Sequence, residues 1–295
     1  MTASPTTIPD LSAPVLPVRA TPGKRMVQAG DLAAKRRAAV VDVLHPLVFD
    51  FSCFTGAIVQ EASRYWGRSK MIDLGCGTGR VAMDLLAKMP CLDYVGMDAS
   101  EPMVWVFRRK AVRLSHPRQT LTFEAPVDLR QRDVVASVAP GGADMILLSQ
   151  FLQYIPLQSP GQNLHNRVEM LTAARDLTRP GGRLFIIEEV FGENAEEHLT
   201  FAVNWDQAIA SQVQANFQRL GQVLRNIDPS LVDLLRAKRD HRALAGLMRE
   251  RAHRQGDRQI VPLSVWCRTF EHLGLRYRAV PHAVLPNFYL FVIAR

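Results

Sequence analysis

The chain has 295 residues, 47% of them hydrophobic and 22% charged, with a formal net charge of +8 at pH 7. That balance suits a large globular domain with an elaboration and excludes a fibrous or wholly disordered chain. No run approaches the roughly 18–20 apolar residues of a bilayer-spanning helix, and the N-terminus lacks the basic-then-apolar order of a secretory leader. The four cysteines (Cys53, Cys76, Cys91, Cys267) form no CxxC pair and no zinc-like spacing with histidine. No metal site is therefore expected, no membrane partner either, and a reduced, cytoplasmic setting is the simplest reading.

Residues 1–30 carry Pro5, Pro9, Pro14, Pro17 and Pro22 with few large apolar side chains, and read as an extended, disordered tail. Over 31–68, Val40, Leu44, Leu47 and Phe51 recur three or four apart, which predicts two or three short capping helices. Strands then alternate with helices across 69–192. The strands are expected at 70–74, 94–97, 121–124, 144–149 and 183–190, the helices at 80–88, 101–114 and 168–177. Such alternation predicts a parallel sheet with helices on both faces.

Over 193–261 the alternation gives way to a helical insertion. Trp205, Ile209, Val213, Phe217, Leu220 and Leu224 repeat nearly every four residues, and Asp228-Pro229 reads as the N-cap and first turn of a second helix. Between 218 and 258 ten Lys or Arg face five acids, so most of the chain's positive excess sits there. It is either a solvated helix face or a surface for nucleic acid or another acidic partner. Over 262–295 a helix at 263–273, stopped by Gly274, and two strands at 275–280 and 288–293 complete the core sheet as its sixth and seventh strands.

The sharpest chemical signal is Met71-Ile72-Asp73-Leu74-Gly75-Cys76-Gly77-Thr78-Gly79-Arg80. A buried strand runs into a glycine-rich turn and then a helix, whose N-terminal N–H groups are free to meet a ligand. The third glycine comes one residue earlier than in the dinucleotide pattern G-x-G-x-x-G. Asp98, 19 residues after Gly79, ends the next expected strand. An acid at that tip suits ribose hydroxyls, and it equally suits an N-cap for the helix from Glu101.

The stretch 70–190 resembles the class I S-adenosylmethionine (SAM)-dependent methyltransferases. Four parts stand in the family's order: the loop Asp73–Gly79, the acid Asp98, the strand from Ala143 to Ser149 followed by Gln150-Phe151-Leu152-Gln153-Tyr154, and the turn Leu177-Thr178-Arg179-Pro180-Gly181-Gly182 before the fifth strand. The resemblance implies a Rossmann-like, mostly parallel seven-stranded sheet with a helical lid inserted after strand five. It implies SAM as cofactor, held by Asp73, Gly75, Cys76, Gly77, Gly79, Asp98, Ala99, Met103, Ala125 and Ser149. One departure stands out: Ala125 occupies the place where the family usually has an adenine-binding acid, with Glu124 and Asp128 on either side, so backbone groups are the expected adenine contacts.

Acceptor residues are expected at the carboxyl ends of the strands. These are Gln150, Gln153 and Tyr154 after strand four, Glu188 and Glu189 at the tip of strand five, and Trp205 from the lid. No histidine stands beside a motif in a way that singles out a catalytic base. The expected activity is SN2 transfer of the sulfonium methyl to a small-molecule N, O or thioether S acceptor. Two alternatives remain: an RNA methyltransferase acting on ribose or base through the basic insertion, and a non-catalytic SAM- or NAD-binding protein.

Overall fold

The structure, a computed structural model, describes residues 50–65, 67–114, 116–129, 141–152, 160–191, 260–285 and 287–295, with Ala34, Lys35, Ala38, Ala39, Asp42, Asp133, Ser137, Gln207 and Ser211. The tail expected at 1–30 and nearly all of the insertion expected at 193–261 lie outside the described residues.

In chain order the elements are α1 (Ser52–Ala62), β1 (Ser69–Leu74), α2 (Arg80–Lys88), β2 (Leu92–Met97), α3 (Glu101–Leu114), β3 (Thr120–Glu124), β4 (Ala143–Ser149), α4 (Pro160–Leu177), β5 (Thr178–Phe191), β6 (Val261–Pro262), α5 (Leu263–His272), β7 (Arg276–Pro281) and β8 (Phe288–Ala294). The sheet runs β3-β2-β1-β4-β5-β8-β7, and β6 pairs with β5 off that path. Strands β1 to β5 are parallel, and β8 is antiparallel to both β5 and β7. Among the described residues the sheet is thus mostly parallel and Rossmann-like, with eight strands where seven were expected. The additional strand, β6, is two residues long, too short to leave a periodic signal.

The central strands are buried on both faces, as befits parallel strands covered by helices. Ile72, Leu74, Ile146, Leu148, Leu184 and Ile186 pack on one side with Leu171 and Ala174 of α4 and Trp266 and Phe270 of α5. Met71, Met145, Leu147, Phe185 and Ile187 pack on the other with Ile58 of α1, Leu85 of α2 and Phe107 of α3. Two elements are longer than expected. α4 begins at Pro160, a residue suited to a first helical turn, but its first two turns are too polar for an apolar stripe. β5 takes in the Pro180-Gly181-Gly182 segment and starts at Thr178.

The strand order reverses between β1 and β4, which lie side by side and diverge to opposite halves of the sheet. Open α/β sheets bind ligands at the carboxyl ends of the strands at such a point. The glycine loop, Asp98, Ser149 and the tip of β5 all lie along that edge.

Candidate functional site

The loop between β1 and α2 is shaped by glycines with different jobs. Gly79 has φ of +75°, and a Cβ on it would run into the Phe107 ring, so both backbone and packing require glycine. Gly77 has φ of +53°, yet a Cβ there would meet nothing within 4 Å. Its outer face is open, as a backbone that receives a ligand must be. Gly75 lies against the Phe151 ring, which a Cβ would approach to 2.5 Å.

Asp98 spans the gap between β2 and this loop. One carboxylate oxygen accepts the Gly77 N–H at 2.8 Å and the other accepts the Ser100 N–H at 2.7 Å. It therefore caps the start of α3 while holding the loop in place. A carboxylate has about four lone-pair sites, so each oxygen can still accept a hydroxyl from a ligand. Burial raises the Asp98 pKa, and the Ser100 and Gly77 N–H groups oppose that rise.

Behind it, Asp73 is buried, and its Oδ2 accepts the Tyr94 hydroxyl at 2.5 Å. Its Oδ1 has no hydrogen-bond partner. Burial raises the Asp73 pKa to about 7, the Tyr94 hydrogen bond opposing and the Asp98 charge adding. Two carboxylates in one pocket, one with an orphaned oxygen, favour a ligand that brings cationic or hydrogen-bond-donor groups. Cys76, between them in the loop, is buried, and burial together with Asp73 and Asp98 raises its thiol pKa well above the ordinary value. It stays a thiol and is no nucleophile. Ala99 is exposed and Met103 half-buried in the first turn of α3; Ala125 follows β3 beside them, its neighbour Val127 donating to the Asp98 carbonyl at 3.0 Å.

The second half of the site lies beyond β4. Ser149 ends the strand half-buried. Gln150 follows with φ of +52°, a left-handed conformation uncommon outside glycine. Its N–H donates to the Ile187 carbonyl at 2.7 Å and its side-chain oxygen accepts from Arg80. The Arg80 guanidinium stacks on Phe51, 4.7 Å from the ring centroid, and Phe51 packs in turn on Phe288 with centroids 5.3 Å apart. The first residue of α2, the start of α1 and the end of β4 are thus brought to one place.

Glu188 was expected among the acceptor residues at the tip of strand five. Instead it is buried, and one of its oxygens accepts the Leu152 N–H at 2.8 Å. Arg167 of α4 is equally buried, and its Nε donates to the Leu152 carbonyl at 3.1 Å. Burial raises the Glu188 pKa to about 8 despite the Leu152 N–H and the Arg167 charge. Glu189 is half-buried and accepts from Asn287 at 2.7 Å. Gln153, Tyr154 and Trp205 lie outside the described residues.

Arg80, Phe51 and Arg167 were not expected here. Arg167 had a signal: it stands four residues before Leu171 and seven before Ala174, on the stripe that α4 buries. Glu188 had one too, since it alternates with the inward-facing Ile186. For Arg80 and Phe51 no local pattern gives the contact.

Among the described residues no group of three or more His, Cys, Asp or Glu could hold a metal ion, and no helix is long and apolar enough to cross a membrane. All four cysteines are free thiols.

A family model described as a methyltransferase domain matches residues 72–184, from β1 into β5, and takes in the glycine loop, Asp98 and the tip of β4. That stretch of the chain is similar to a methyltransferase domain. No curated protein matches it. Among solved structures, an O-methyltransferase family protein from Burkholderia thailandensis is 15% identical with a TM-score of 0.54, over 89% of this chain and 59% of that one. The present chain thus spans about three fifths of that protein, and the likeness is one of fold. Magnesium protoporphyrin IX methyltransferase from Synechocystis PCC 6803, solved with bound SAM, is 14% identical over 92% of this chain and 86% of that one, with a TM-score of 0.47. An O-methyltransferase family 2 protein from Planctomyces limnophilus, in complex with apigenin, is 16% identical over 88% and 56%, with a TM-score of 0.45. Within the matched stretch the glycine loop and Asp98 stand at the strand-order reversal.

Proposed function

We propose that the chain is a SAM-dependent methyltransferase acting on a small-molecule acceptor. The observation that carries this reading is the cradle at the β1 and β2 tips, where Gly77 is open on its outer face, Asp98 holds its N–H, and Asp73 keeps an orphaned oxygen behind it. These residues fit SAM. Asp98 would accept the ribose hydroxyls, the Gly77 backbone would lie along the methionine portion, and the acidic pocket suits a ligand with a sulfonium and an ammonium. Ala125 would border the adenine, with backbone rather than carboxylate contacts.

When bound, SAM supplies an electrophilic methyl that needs no further activation. What remains for the protein is alignment and exclusion of water. Gln150 and Ser149, at the tip of β4, stand where an acceptor would meet the methyl. Arg80 and the Phe51–Phe288 stack fix Gln150 from one side. No nucleophile or metal is asked of the protein, and a neutral amine or thioether needs no base.

The small-molecule reading is supported by the way the N-terminal segment covers α3. Asp42 is buried against Lys110, and Lys35 lies 5.5 Å from the centroid of the Trp105 ring. The segment 193–261, with Trp205, would complete this cover as a lid. RNA methylation is the second reading, and the basic excess between 218 and 258 favours it.

Thermal-shift measurements test the cofactor: SAM or its demethylated product S-adenosylhomocysteine (SAH) should stabilise the protein, and NAD should not. Stabilisation by NAD alone would overturn the reading. A turnover screen over amines, phenols, thioethers and RNA then identifies the acceptor. Replacing Arg236, Lys238, Arg239 and Arg242 with Gln should leave small-molecule turnover nearly intact. Joint loss of RNA binding and activity would decide for RNA, since such binding rests on neutralised phosphates.

A further inference from the structure

Glu188 and Arg167 are each only 1% exposed, and methyl transfer as derived above uses neither. Charged side chains are seldom buried so fully unless a specific partner holds them. Here backbone groups of one short segment hold them, Leu152 above all. Glu188 accepts the Leu152 N–H at 2.8 Å, and Arg167 donates to the Leu152 carbonyl at 3.1 Å, so both polar groups of Leu152 are gripped. The grip is anchored from below. Glu188 lies in the β5 ladder opposite Tyr289, and the Arg167 guanidinium lies 5.7 Å from the centroid of Trp266, itself buried. On the other side of the gripped residue, Phe151 presses its ring on Gly75, and Gln150 is held in its left-handed conformation.

We propose that Glu188 and Arg167 are positioning residues that latch the segment Gln150-Phe151-Leu152, so that Phe151 closes against the glycine loop and Gln150 faces the acceptor. The latch couples the two halves of the site: the wall of the cofactor cradle is set by side chains from β5 and α4. Its bearing on the cofactor rests on the SAM reading above.

The test uses Arg167→Met/Glu188→Met, because removing one partner leaves the other's buried polar groups without their counterpart, whereas replacing both with apolar side chains is often tolerated. Hydrogen exchange at the Leu152 amide reads the latch without any ligand. Calorimetry with SAH reads its effect on the cradle. The double replacement should keep its cooperative unfolding, lose protection at Leu152, and bind SAH about tenfold more weakly, the scale of one lost buried hydrogen bond. Phe151→Ala should weaken SAH binding in the wild-type background and add little in the replaced one, since the ring's placement is already lost. Glu188→Gln, which keeps an oxygen for the Leu152 N–H, should bind SAH within about threefold of wild type, within the worth of a single neutral hydrogen bond.

Unchanged protection at Leu152 would overturn the latch. So would an equal loss from Phe151→Ala in both backgrounds, which is what a merely structural role predicts. Should the double replacement not fold, the Glu188→Gln exchange and binding data carry the test, and a collapse of both in a folded Glu188→Gln protein overturns it. Failure of the wild type to bind SAH would reject the cofactor reading, while the exchange measurement would still decide the latch.

Discussion

Beside the glycine loop Asp98 is held by backbone groups, whereas beyond β4 and β5 the chain is held by side chains from distant segments. Asp98 takes N–H groups from Ser100 in its own turn and from Gly77 in the β1–α2 loop, 21 positions away. Gln150 is held by Arg80, seventy positions away, and Leu152 by Glu188, thirty-six positions away. The first half is therefore built from two adjoining strand-to-helix turns. The second half depends on which side chains the whole fold brings together.

The largest expected effect sharpens this contrast inside the loop itself. Gly79→Ala should destabilise the protein by about 2–4 kcal/mol, combining the cost of a left-handed backbone with overpacking against Phe107. Gly77→Ala has the backbone cost but open space, so about 1–2 kcal/mol is expected, with a loss of SAH affinity out of proportion to it. Denaturant unfolding and calorimetry on both variants check the pair. Equal stability losses would mean that the loop's two ends are not distinct.

Next in size is Asp98→Ala, expected to weaken SAH binding by roughly 1–3 kcal/mol, the range for losing buried hydrogen bonds. Unchanged affinity in a folded variant would detach Asp98 from the cradle. The protonation of Asp73 gives a related check. With a pKa of about 7, it carries a proton in a good share of molecules at neutral pH. A ligand bringing an ammonium should expel it, so SAH binding at pH 7 should release on the order of half a proton. Calorimetry in buffers of different ionisation enthalpy measures this. Release should vanish in Asp73→Asn.

The β4–β5 half should show itself in the pH dependence of stability. Glu188 has a pKa raised to about 8 in the folded chain, against about 4.3 for an ordinary glutamate. Across that window the folded chain keeps a proton that the unfolded chain has lost. Stability therefore falls as pH rises from about 4.5 to 8, then levels off. Urea unfolding of Glu188→Gln between pH 5 and 9 should show a shallower fall than wild type. An identical slope would remove Glu188 from the account.

The smallest effect concerns Arg80. Arg80→Leu loses the stacking on Phe51, worth about 0.5–1 kcal/mol, and the contact with Gln150. Acceptor kcat/KM should fall severalfold with SAH affinity nearly unchanged. A loss confined to SAH affinity would place Arg80 in the cofactor half instead.

The same contrast explains what could be read from sequence. The glycine loop, Asp98 and the strand–helix alternation are local patterns, and β1, α2, α3 and β8 fall within one or two residues of their expected limits. The start of α4 was hidden by polar early turns, and β6 by its brevity. Glu188 was read as an acceptor residue because its position at a strand tip is visible in sequence while its burial against Arg167 of α4 is not. Arg80 was noted only as the residue after the last glycine; its partners Phe51 and Gln150 meet it through packing of α1 on α2 and of β1 beside β4.

One feature of the sheet has a bearing on how such a chain is assembled. β8 follows β7 in sequence yet lies between β5 and β7. A growing polypeptide can zip β1 to β5 as it emerges, but β7 has no place in the sheet until Phe288–Ala294 has been made. Until then both sides of β8's slot, including the apolar row at Phe185 and Ile187, stay open to foreign strands. A chain that stops between Pro281 and Phe288 therefore leaves the β5 edge without its antiparallel partner.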